Sequence, residues 1–344
     1  MTYDALLVLS FGGPETRDDV LPFLRNVLRG RNVPEERMLE VAEHYYHFGG
    51  HSPINQQNRE LIAALEKELE QHGPQLPVYW GNRNWSPYLA DTLQQMKEDG
   101  VKKALAYVTS AFSSYSGCRQ YRENILAAQA QVGEGAPQVD KLRVFYNHPG
   151  FIGPMTENVQ AALQKIPAEY RERAQVVYTA HSVPMFMAQG SRYVPQLEES
   201  CRLISSALKR TGDTLVYQSR SGPPSQPWLE PDILAYLRLV KESNSHPAVV
   251  ICPLGFTSDH MEVMYDLDTE AQKLAHELRL PMVRAATVGI HPRFITMIRE
   301  LIMERMDPVA PRRALGAMGP SLDVCPVDCC PAPQRPGGAA AASK

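Results

Sequence analysis

His181 closes a short apolar run, Thr179–Pro184 (TAHSVP), and Glu262, Asp266 and Glu270 recur at every fourth residue of Gly255–Glu270 (GFTSDHMEVMYDLDTE). If the second segment is helical, that spacing puts three carboxylates on one face. Like charges one turn apart destabilise a helix, so such a stripe faces either bulk water or a cation. Carboxylate oxygens are natural ligands for divalent cations, and a neutral imidazole suits Fe(II) and can take a proton near neutral pH. A strand-end histidine alone is usually structural, and an acidic face alone is usually solvated. Their joint occurrence after strands of the same half of the chain is what points to a site for metal delivery and proton removal.

The elements that must position these side chains are short apolar runs alternating with longer amphipathic segments. Strands are expected over Ala5–Phe11, Val78–Gly81, Lys103–Thr109, Leu142–Tyr146, Val176–Ala180, Thr214–Gln218, Ala248–Cys252 and Pro281–Arg284. Most are continuously apolar, as in a parallel sheet covered on both faces. Helices are expected over Gln57–Gln71, Tyr88–Asp99, Val194–Arg210 and Asp232–Glu242. The alternation predicts an α/β fold of two Rossmann-like, doubly wound lobes with parallel sheets and a cleft between them. A turn-forming NHPG at Asn147–Gly150 marks the boundary, giving lobes over 1–149 and 150–308 and a C-terminal extension over 309–344. Ligands of open α/β sheets bind beyond the carboxyl ends of the strands, so the loops after Phe11, Gly81, Thr109, Ala180, Gln218 and Leu254 should line the site.

Bulk properties exclude several functions. With 344 residues, 44% hydrophobic and 21% charged, the chain has a globular composition. Its 35 basic and 38 acidic residues leave a net charge of -3, which gives no electrostatic case for nucleic acid. Gly12-Gly13-Pro14 is not a phosphate loop, and no GxGxxG follows a strand, so a nucleotide is not expected. Met1–Ser10 has an acid, Asp4, where a secretory signal would carry a base. No apolar run approaches the ~20 residues of a membrane span. The expected compartment is the cytoplasm, with at most peripheral membrane contact. The Pro-, Gly- and Ala-rich tail over Gly337–Lys344 is expected to be disordered.

Six segments, LSFGGPET (Leu9–Thr16), HFGGHSPIN (His47–Asn55), GNRNWSPY (Gly81–Tyr88), TAHSVP, YQSRSGPPSQPWLEPD (Tyr217–Asp232) and GFTSDHMEVMYDLD (Gly255–Asp268), together resemble the ferrochelatase family. The resemblance runs from about Tyr3 to Met306 in the family's order, and the short form is similar to actinobacterial-type enzymes. It implies a lyase of haem biosynthesis that inserts Fe(II), its substrate metal, into a porphyrin. His181 would bind the metal and accept pyrrole protons. Glu262 would be its partner across the macrocycle, and Asp266 and Glu270 would continue the acidic track. Ser52, Tyr121, Arg29 and Tyr45 would line the porphyrin pocket. Phe11 and His44 stand where some coproporphyrin-using relatives carry a tyrosine and an arginine. The polar segment between Pro14 and Gly49, with Arg25, Arg29, Arg31 and Arg37, favours carboxylates, so coproporphyrin III is a candidate beside protoporphyrin IX. The alternatives are a cobalt- or sirohydrochlorin-type chelatase and a non-catalytic haem carrier on the same scaffold. The first usually lacks the WLEPD and GFxxDHxEV segments; the second is at odds with the presence of both His181 and Glu262.

Cys325, Cys329 and Cys330 put three thiols in six residues, which suits a soft-metal site, iron–sulfur or zinc. The resemblance implies a [2Fe-2S] cluster with one further cysteine from earlier in the chain. Cys118 is the expected fourth ligand, because Cys252 ends a buried strand and Cys201 falls within a helix.

Overall fold

A computed structural model describes residues 2–30, 33–222 and 225–332. Arg31 and the Gly337–Lys344 tail lie outside the described residues. The first sheet holds β1 (Ala5–Ser10), β2 (Val78–Asn82), β3 (Lys103–Val108) and β4 (Gln138–Lys141), in the order β2-β1-β3-β4. The second holds β5 (Gln175–His181), β6 (Thr214–Gln218), β7 (Val249–Cys252) and β8 (Met282–Arg284), in the order β6-β5-β7-β8. Every strand pair is parallel. The two sheets therefore repeat one topology, the α/β arrangement expected from the apolar runs. β1 is buried along its whole length, and β5 is buried up to His181, where the strand opens into the cleft.

One strand is not where the apolar pattern put it. Leu142–Tyr146 is irregular, and the ladder partner of β3 is the polar segment Gln138–Lys141 just before it. β4 is an edge strand, covered on one side only, so it carries no continuous apolar run. Leu142, Phe145 and Tyr146 are instead core residues of a buried turn, with Phe145 stacked on Tyr107 of β3 at 5.8 Å.

One apolar cluster runs from Leu6 and Val8 of β1 through Phe145, Phe151 and Phe294 to Val176 and Tyr178 of β5. The last helix, Pro292–Met306, follows the second sheet in sequence but crosses back to the first half, where Arg299 pairs with Glu68 at 2.9 Å. No helix among the described residues is long and apolar enough to cross a membrane.

Glu304 of that helix grips Arg143 with two bonds, Nε–Oε2 at 2.7 Å and Nη2–Oε1 at 2.9 Å, with both side chains 1% exposed. Arg143 also donates to the carbonyl of Arg313 at 2.8 Å, which ties the C-terminal extension to the core. Breaking one partner of a buried pair strands the other charge. Glu304→Gln is therefore expected to cost about 3 kcal/mol or more, read as a lower urea midpoint at unchanged slope. A midpoint equal to that of the parent would show that the pair is not a stabilising clamp.

Candidate active site

His181 is the last residue of β5, and its ladder neighbour is Gln218, the last residue of β6. Its Nδ1 faces the Ser182 carbonyl, and its own carbonyl accepts from the Tyr193 hydroxyl at 3.0 Å. Nε2 points into the cleft and lies 3.5 Å from Glu262 Oε1. Gly255, after β7, passes directly behind this strand end: a Cβ there would sit 2.7 Å from Ala180 Cα. Only glycine lets the loop leading to Glu262 come this close.

The helix under the acidic stripe starts later than the sequence pattern suggests and is not plain α-helix. Residues 255–260 are irregular, helix begins at Met261–Val263, and Met264–Ala271 is wound as a π-helix. Widened turns of this kind are rare and concentrate at functional sites. The His260 ring caps the helix start, accepting from the Glu262 N–H at 3.2 Å. Gln218 Nε2 donates to the Glu262 carbonyl at 3.0 Å and to Asp266 Oδ2 at 3.3 Å, and the Ser219 hydroxyl donates to the same Asp266 oxygen. The ends of β5 and β6 thus hold the first two acids of the track from below.

The charges are graded along it. Burial works to lower the His181 pKa, but the Glu262 carboxylate beside it wins and lifts the ring to about 9. Glu262 is held down to about 2: burial opposes this, and the His181 charge outweighs it. The pair is an imidazolium–carboxylate at neutral pH, still open to the cleft at 33% and 47% exposure. Asp266 is pushed up to about 7, by burial first and by the charges of Glu262 and Glu270, against the Ser219 hydrogen bond. Glu270 is also raised, by burial and then by Asp232. Beyond Glu262, a proton leaving His181 meets two carboxylates that both hold protons more readily than an ordinary carboxylate.

His181 and Glu262 stand on one wall, which corrects the expectation that they face each other across the ring. Side chains on either side of a flat ring must be about 7 Å apart, since each face needs about 3.5 Å. At 3.5 Å they can only address the same face of a macrocycle.

The four residues expected to line a pocket divide. Tyr45 comes to the His181–Glu262 pair, its phenol pKa raised by burial and then by the Glu262 charge, and it packs edge-on against Phe23 at 5.8 Å. Its neighbour His44 stacks on Tyr265 of the π-helix, with ring centres 3.6 Å apart. Ser52 is buried beside the loop after β1, close enough that a Cβ on Gly13 would lie 2.9 Å from its own. Tyr121 and Arg29 gather instead around Arg83. The Arg83 guanidinium lies over the Tyr121 ring at 4.7 Å and over Phe11 at 5.5 Å. Among the described residues its buried Nε has no hydrogen-bond partner, and it shares with Arg29, Asn82, Tyr88 and Asn124 a cavity of about 360 Å³.

The sequence reading passed over Arg83, Gln218, Ser219, Tyr193 and His260. Each stands next to a motif residue already singled out, or at a strand end of the second sheet, and strand register was the missing information.

A second cluster lies on the C-terminal strap. Cys118 sits in a π turn, Tyr115–Arg119, and its thiol and that of Cys325 lie near enough to shift each other's titration in opposite directions. Cys325 feels the Cys329 thiol in the same way, and Cys329 Sγ lies 3.4 Å from Cys330 Sγ. Cys118 is the thiolate of its pair, drawn down to about 5 by the Cys325 hydrogen bond and, against burial, by the Lys141 and Arg122 charges. Cys252 is buried in β7, and Cys201 lies in the Tyr193–Ala207 helix. Among the described residues, no three His, Cys, Asp or Glu side chains are arranged to hold a single metal ion.

Comparison with known proteins adds the family. The family model described as Ferrochelatase matches residues 3–306. A protein named Ferrochelatase from Rhodopirellula baltica is 58% identical over 335 residues, covering 97% of this chain and 95% of its own length. One named Coproporphyrin III ferrochelatase from Streptomyces coelicolor is 53% identical, covering 99% of this chain and 97% of its own. Among solved structures, SirB from Bacillus subtilis with Fe3+ superposes with a TM-score of 0.51 at 14% identity, covering 89% of this chain and 98% of its own. That likeness shows the chelatase-like fold alone. With a matching model across both sheets, and relatives more than half identical over nearly the whole length, this chain belongs to the ferrochelatase family.

Proposed function

We propose that the cleft inserts Fe(II) into coproporphyrin III, with His181 as the metal ligand and proton acceptor and Glu262 as its partner. The observation that carries this reading is the His181–Glu262 contact at the carboxyl end of β5, continued by Asp266 and Glu270. Both pyrrole protons must leave as iron gains four nitrogen donors, and no electron moves. His181, once deprotonated, takes the two pyrrole protons from the ring one after the other, handing on the first before it accepts the second. Glu262 stabilises the resulting imidazolium, and Asp266, titrating near neutral pH, passes the proton to Glu270 and water. Incoming Fe(II) sheds water against the same carboxylates. The porphyrin lies with one face to this wall, and Tyr45 and Ser52 border it.

Coproporphyrin III carries four propionates where protoporphyrin IX carries two. Two guanidiniums in one cavity, one with an unpartnered buried Nε, suit an additional carboxylate. Several relatives about half identical to this chain bear the name coproporphyrin III ferrochelatase. Parallel anaerobic rates with the two porphyrins test the reading: coproporphyrin III should be metallated at least about tenfold faster at low substrate. In Arg83→Met, KM for coproporphyrin III should rise about tenfold, equivalent to about 1.4 kcal/mol, with kcat nearly unchanged. Equal kcat/KM for both porphyrins in the parent would refute the substrate assignment.

The strap cysteines fit a [2Fe-2S] cluster better than a single metal. Their thiols form a chain of contacts rather than a ring around one centre, and all four donors are sulfur. Cys118, Cys325, Cys329 and Cys330 would hold it. Such a group supplies one-electron redox chemistry or a structural staple when bound. The lobes divide at 149/150, at the start of the Pro149–Lys165 helix, and the extension from 309 forms the strap. Six unpaired cysteines suit a reducing compartment, so the cytoplasm is the proposed location.

A further inference from the structure

Lys141 is the last residue of β4, the polar edge strand. Its ammonium reaches two atoms of one residue, the Cys118 carbonyl at 2.7 Å and Cys118 Sγ at 3.2 Å. Both residues are only partly exposed. Arg122, one helical turn beyond Cys118, donates to the carbonyls of Pro326 at 3.3 Å and Val327 at 2.9 Å. These lie between Cys325 and Cys329, so the first lobe presents two cations to the thiol cluster, one on a sulfur and one on the backbone that carries the others. We infer that Lys141 is a positioning residue for the cluster: it fixes Cys118 through the carbonyl and, through an N–H···S bond to the same residue, raises the reduction potential of the bound [2Fe-2S] group. This rests on the cluster reading above.

A charge-assisted hydrogen bond withdraws electron density from the ligand sulfur. Adding an electron makes an anionic cluster more negative, so a donor on its sulfur stabilises the reduced form more than the oxidised one. Partial burial keeps this interaction from being fully screened. Arg122 acts at a carbonyl rather than at sulfur and should matter for loading more than for potential.

The test is a redox titration of the anaerobic holoprotein with dithionite as the electron donor. It is followed by visible absorption and by the spin signal of the one-electron-reduced state, with iron and sulfide assayed beside it. Lys141→Met keeps the length of the side chain and removes the donor. Its midpoint should fall by an amount equal to about a tenfold change in the one-electron equilibrium, 59 mV. Lys141→Arg, which keeps a cationic donor, should return most of the shift. A loaded Met variant with the parent's midpoint overturns the inference and leaves the cluster reading intact. If the Met variant does not load while the Arg variant does, the requirement for a donor at this position is supported. Failure of both would mean that the lysine is only a packing strut, and would overturn it. A parent protein free of iron and sulfide overturns the cluster reading itself, and this inference with it.

Discussion

Replacing His181 with alanine should abolish iron insertion, lowering turnover by about three orders of magnitude, while free-base porphyrin binds within a few-fold of its parent affinity. The two readouts separate because the imidazole touches only the reacting centre. On the reading proposed above, its ring would address the inner nitrogens beside Glu262, whereas the periphery of the macrocycle would be met by Ser52, Tyr45 and the Arg83 cavity. The variant should also fold. Tyr193 bonds to the backbone carbonyl of residue 181, which alanine retains, and the Glu262 left behind is 47% exposed and can be hydrated. Loss of porphyrin fluorescence with growth of a metalloporphyrin spectrum, under strict exclusion of oxygen, measures turnover; fluorescence titration without iron measures binding. Near-parental rates would remove His181 from the chemistry. A parent protein that binds porphyrin but never metallates it would instead revive the haem-carrier alternative.

The sequence was most informative where burial makes a residue's surroundings nearly independent of its partners. β1, β3, β5 and β7, the inner strands, lie where continuous apolar runs put them, because a strand covered on both faces can be little else. The edge strands β2, β6 and β8 also fall on apolar runs, but an edge strand needs none: β4 is polar, and Leu142–Tyr146 is apolar because it fills the core beside Tyr107. The acid spacing of Glu262, Asp266 and Glu270 was legible, but the π winding under it was not. Within the widened turns Asp266 docks on the end of β6, through Gln218 and Ser219, a contact between distant segments. Pairing His181 with Glu262 on a single wall needed the register of β5 on β6 and the close pass of Gly255, which are tertiary facts. Arg83 was hidden differently. It sits inside a motif that was noticed, but its bare Nε and its stack on Tyr121 emerge only when residues from three separate segments meet.

Glu262→Gln should lower kcat/KM by about two orders of magnitude at neutral pH and, more tellingly, move the pH profile. In the parent enzyme the His181 pKa is raised to about 9, so at neutral pH most of the protein holds this ring as imidazolium. An imidazolium can neither bind Fe(II) nor accept a pyrrole proton. The kcat/KM profile, which reports the free enzyme, should therefore climb with pH with its midpoint near 9. Glu262, held at about 2, stays ionised throughout and contributes no limb of its own. Asp266, near 7, is the group able to add a second inflection, and the observed values belong to the coupled set rather than to single residues. Glutamine removes the charge that does most to lift His181 and leaves burial, which acts in the opposite direction, against the Ser182 carbonyl and the Asp266 charge. The climb should then move to lower pH than in the parent. Stability follows the same sign. A group whose folded pKa lies above its unfolded one contributes fully below the unfolded value, about 6.5, and its contribution is lost as pH rises through about 9. The parent should lose thermal stability relative to the Gln variant across that window. Identical pH–rate curves for the two proteins would mean that the His181–Glu262 ion pair is not the state from which metal insertion begins.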